Sequence, residues 1–81
     1  MPYNQFLKRC FSVSRNQIAY LRFILESYDG LAFMRTLDPA EAVVEIAYPL
    51  SRRHDAEELI LALEKETGLR EVSPPGNYQP L

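Results

Sequence analysis

Eighty-one residues with a net charge of −2 define one small domain and argue against a dedicated nucleic-acid binder, which shows a basic excess. At 47% hydrophobic and 25% charged the composition is that of a globular chain. One cysteine, Cys10, allows no internal disulfide, and no apolar run approaches the length of a membrane helix. The expectation is a cytoplasmic protein with neither nucleic-acid nor membrane partners.

Asn4–Val13 (NQFLKRCFSV) has the composition of a strand, although Leu7, Phe11 and Val13 share a face with Arg9. Ser14-Arg15-Asn16-Gln17 reads as a capping box, with Ser14 as N-cap and Gln17 at the third helical position. Ile18, Leu21, Ile24, Leu25 and Tyr28 then fall in one sector of a helical wheel. Gly30 follows as a left-handed stop, so the spacing predicts a helix over 15–29.

Leu31–Asp38 and Ala42–Leu50 are β-rich, and Asp38-Pro39-Ala40-Glu41 between them carries type I turn residues. Val44, Ile46 and Tyr48 are expected on the helix side of the sheet. Val43, Glu45 and Ala47 face away, with Leu31, Phe33, Arg35 and Leu37 beside them. A second helix begins near Ser51 or Asp55, carries Ala56, Leu59, Ile60 and Leu63 on one stripe, and stops at Gly68. Leu69–Ser73 is a last short strand. Residues 1–73 form the domain, and the proline-bearing 74–81 is expected as a flexible tail.

Leu21, Leu25, Gly30 and Leu31 recur 38 residues later as Leu59, Leu63, Gly68 and Leu69. Repetition of helix and stop within a βαββαβ order predicts an α+β, ferredoxin-like sandwich. Two helices should cover one face of a four-stranded antiparallel sheet.

The run IAYLRFILESYDGLAFMRTLD, with its YDGL and RTLDP, resembles a small bacterial family of unknown function. The element order resembles the ACT-like regulatory domains. That resemblance implies a regulatory or interaction module and no cofactor. In those domains an Asp and a Gly of the first strand–helix loop approach an amino-acid ligand, whereas here that loop is Val13-Ser14-Arg15-Asn16, with neither residue. Asp29–Thr36 matches the RNA-recognition octamer at too few positions to imply RNA binding.

No catalytic constellation is visible, so the chain is read as no enzyme. One His and one Cys cannot supply a zinc site, and a Cys10–His54 couple ranks below a packed thiol and a solvated imidazole. Taking strands one and three as parallel neighbours sets both helix starts at one end of the sheet. Ser14, Arg15 and Asn16 would then meet Arg52, Arg53 and His54 in a cradle for a small anion. The competing expectation is self-association. Phe23 and Leu61 lie off their helices' apolar stripes, and Phe33, Arg35, Val43 and Glu45 are placed on a second sheet face too apolar for water. A homodimer or a larger protein partner would cover them.

Overall fold

The computed structural model describes residues 5–76. The elements are β1 (Phe6–Ser12), α1 (Ile18–Glu26), β2 (Phe33–Asp38), β3 (Val43–Pro49), α2 (Arg53–Thr67) and β4 (Arg70–Val72). The sheet order is β2-β3-β1-β4, every pair antiparallel. This is the α+β, ferredoxin-like arrangement that the repeated helix-and-stop pattern predicts.

The helix-facing side of the sheet is apolar wherever the period of two places a residue inward. Phe11, Val44, Ile46 and Tyr48 are essentially fully buried, packed with Leu21 and Leu25 of α1 and Ala56, Ile60 and Leu63 of α2. Burying the seven of these that are Phe, Val, Ile or Leu at about 1.5–3 kcal/mol each supplies roughly 10–21 kcal/mol before chain entropy is subtracted. Both helices therefore need the same side of the sheet.

Gly68 ends α2 in the left-handed conformation at φ 78°, and its N–H donates to the Glu64 carbonyl. Leu69 beyond it is buried, as this stop favours. The first helix departs from its predicted limits. Arg15–Gln17 form a 3-10 turn in which the Gln17 N–H donates to the Ser14 carbonyl at 2.8 Å, and the Ser14 side chain makes no capping bond. At the far end α1 stops at Glu26, where the Ser27 hydroxyl donates back to the Ile24 carbonyl. Gly30, at φ 72°, closes a separate turn in which the Leu31 N–H donates to the Tyr28 carbonyl. Leu31 follows this turn into the core, not onto the outer sheet face.

Between β2 and β3 the Asp38 carboxylate accepts from the N–H groups of Ala40 and Glu41, as a turn-initiating Asp does. The flexible tail expected over 74–81 falls mostly outside the described residues.

Candidate functional site: the open face of the sheet

Strand alternation sends Phe6, Lys8 and Cys10 of β1, Phe33 and Arg35 of β2, and Val43, Glu45 and Ala47 of β3 to the side away from the helices. There Phe6 and Phe33, from strands on either side of β3, bring their rings to 5.9 Å. They rim a hollow of about 520 Å³ floored by Ala47 and reaching Lys8, Met34, Arg35 and Glu45. Phe33 is 50% exposed and Phe6 42%. Two aromatic rings half in water on one sheet face form a larger apolar surface than scattered exposed residues require.

Glu45 lies on the face away from the helices, where its place in β3 predicts it, yet it is buried. It is 4% exposed, and its Oε1 accepts from Arg35 Nε at 3.1 Å. Register explains this, since Glu45 sits on the central strand with Arg35 and Cys10 directly beside it. A carboxylate withdrawn from water in this way needs its charge met, and the guanidinium does so. Cys10 is likewise buried, and loss of water, with Glu45 nearby, pushes its thiol above the ordinary value.

Arg9, the charged residue out of pattern on the helix side, is explained by a network at the β1–β4 flank. Its guanidinium donates to both Glu71 oxygens, at 2.8 and 3.0 Å, and stands 5.1 Å from the Phe11 ring centre. The hydrogen bond from Arg9 holds Glu71 below the usual carboxylate range, and the Glu71 bond raises Arg9. Beside it the Tyr48 hydroxyl donates to Glu57 at 2.8 Å, lowering the Glu57 carboxyl. Burial first, and then that bond, raises Tyr48. Among the described residues no buried side-chain N or O atom lacks a partner.

The anion cradle does not form. β1 and β3 are antiparallel, Phe6 facing Pro49 and Ser12 facing Val43. Each helix leaves the C-terminal end of its strand, so the two helix starts lie at opposite ends of the sheet. With seven residues in β1 the separation is about 20 Å. Ser14, Arg15 and Asn16 sit by the β2–β3 hairpin, where Arg15 donates to the Ala40 carbonyl at 2.6 Å. Arg52 donates to the Asp29 carbonyl, Arg53 pairs with Glu57 at 3.3 Å, and His54 Nε2 lies 3.5 Å from Glu58.

Cys10 and His54 are also kept apart, one on the open face and the other on the helix layer. His54, Asp55 and Glu58 each offer a ligand atom within 4.8 Å of the others, but all three are exposed. The two outlying helix positions do not join the sheet hollow. Phe23 is 68% exposed on α1, and Leu61, 55% exposed, lines the flank cleft with Arg9 and Glu71.

The fold and site define a small ferredoxin-like domain with one sheet face covered by the helices and one left open among the described residues. No helix among the described residues is long and apolar enough to cross a membrane. Residues 11–67 match the family model of a domain of unknown function, DUF4911, and the chain belongs to that family. Neither a curated protein nor a solved structure matches it.

Proposed function

We propose that the chain is a non-enzymatic interaction module that self-associates, with the open sheet face as its working surface. The observation that carries this reading is the aromatic-rimmed hollow of Phe6, Phe33 and Ala47, placed where no helix among the described residues covers it. Covering such a surface with a second chain returns the apolar area to a dry environment at about 25 cal/mol per Å². A domain of this size, with net stability of roughly 4–12 kcal/mol, benefits from that contribution. A regulatory role of the ACT-like kind fits a module whose surface, not a catalytic cluster, is its distinctive feature. The anion-binding alternative loses its support with the separation of Arg15 from Arg52 and Arg53.

The test is a concentration series followed by NMR. Ring resonances of Phe6 and Phe33 should move together as the protein is concentrated, while those of Phe23 on α1 stay fixed. Movement confined to Phe23, or no movement at all, contradicts the reading.

A further inference from the structure

We infer that the open sheet face takes an acidic peptide segment of a protein partner, seating one of its apolar side chains in the hollow beside Phe6 and Phe33. This inference rests on the reading of that face as the working surface and gives it an occupant besides a second copy.

The sheet register sorts the charges of the chain. Residues directly opposite on antiparallel strands share a face, so Arg70 and Val72 of β4 lie with Ser12 and Cys10 on the open side. The strands thus set three cations there, Lys8, Arg35 and Arg70, against Glu45. Asp38 ends β2 at the register break, and its carboxylate accepts from the N–H groups of its own turn. With Asp38 counted, the open side still holds more cations than carboxylates. The chain has nine cations and eleven carboxylates in all, which leaves six cations against nine carboxylates elsewhere. The net charge of −2 therefore hides a two-sided molecule, acidic about the helices and basic on the open sheet. Glu45 is 4% exposed and bridged by Arg35, so the water-facing rim of the hollow is positive.

The hollow has the form of a socket for a side chain. Phe33 of β2 and Lys8 of β1 both lie directly opposite Ala47, and Phe6 lies opposite Pro49, two residues along β3. The short Ala47 side chain is the floor, and the larger side chains about it are the walls. At about 520 Å³ the space lies within the usual range of ligand pockets, about 300–1,000 Å³. The two rings, 5.9 Å apart and tilted by 51°, lean on each other. They leave no slot for a flat base between them and offer no pair of parallel faces to successive bases, which favours a side chain over a nucleic acid. Lys8 stands two residues from Phe6, and Arg35 two from Phe33, on the same face. Carboxylates on either side of an apolar anchor meet both cations, while the acidic helix layer repels the same segment from the other side.

The test titrates the full chain, at a concentration where it sediments as one copy, with a short blocked peptide whose central Phe is flanked by Glu residues. The ring resonances of Phe6 and Phe33 should shift, with those of Phe23 unmoved. The same peptide with Lys for every Glu should bind at least tenfold more weakly. Lys8→Gln combined with Arg70→Gln should weaken the Glu peptide at least tenfold, whereas Arg22→Gln on α1 should leave it unchanged. On the unmodified chain, raising salt from about 0.1 to about 1 M shortens the screening length from about 10 to about 3 Å and should weaken the Glu peptide at least threefold. Equal binding of the two peptides, or an affinity indifferent to salt, overturns the inference. Shifts of the same rings with a single-stranded thymidine oligonucleotide but not with the peptide overturn it too. Rings that move on concentrating the protein, yet not with the peptide, overturn the inference and leave self-association standing. Rings that move in neither experiment overturn both.

Discussion

Gly68 is the position where a single methyl group tests the fold most cleanly. A Cβ built there meets nothing within 4 Å, so Gly68→Ala introduces no clash. The whole cost is conformational, because φ is 78° and an L-residue pays about 1–2 kcal/mol to sit in that region. Stiffening the unfolded chain offsets about 0.4–1 kcal/mol of it. The net loss should be about 1 kcal/mol, a fall in Tm of about 4–8 °C for a domain of this length. Thermal unfolding at one fixed protein concentration reads it, the concentration being held because any self-association would shift Tm. Gly68→Asn should lose less, since Asn tolerates left-handed backbone better. An alanine variant as stable as the parent would show that α2 does not end in a left-handed turn.

Ile60→Ala, at a site 1% exposed beneath α2, should cost about 2–5 kcal/mol in urea unfolding, a large share of the total stability. Tyr48→Phe removes the donor that depresses Glu57, so the Glu57 carboxyl should climb toward its ordinary 4.5 in an NMR titration, with a stability loss of about 1 kcal/mol. Glu57 and Glu71 are both depressed in the folded state, so their contribution is complete above 4.5 and is lost as pH falls through their lower folded values. Acid unfolding should therefore set in below about pH 4.5, and Glu71→Gln should remove part of that slope. Phe33→Asp places a charge on the rim of the hollow and should weaken self-association at least tenfold without altering the far-UV spectrum.

What the sequence made legible was set by local physics. The βαββαβ order follows from apolar periods of two and of 3.6 residues, and the 38-residue echo needed only Leu59, Leu63, Gly68 and Leu69 to repeat an earlier set. Val44, Ile46 and Tyr48 were assignable inward because alternation fixes one face relative to the other. Arg9 spoiled the alternation of β1, and only its spatial neighbours account for it, since Glu71 lies 62 residues away in the chain. The start of α1 was misread because Ser14 and Gln17 can satisfy a capping box or a 3-10 turn, and here the backbone bond between them prevails.

The anion cradle failed for a different reason. Each cradle residue follows the strand it was expected to follow; the direction of β3 relative to β1 was reversed. In this topology β1 parallels β2 and opposes β3, which sends the two arginine groups to opposite ends. Glu45 was assigned to the correct face, but burial depends on its neighbours Arg35 and Cys10 across two strands, and pairing at that range is not written in local pattern.

Sedimentation equilibrium of the unmodified chain from low to high micromolar concentration tests the account at its root. The expected result is a weight-average mass that rises from 9.4 kDa toward twice that value and levels there, as a closed two-fold pair requires. A mass that stays at 9.4 kDa across the whole range contradicts it.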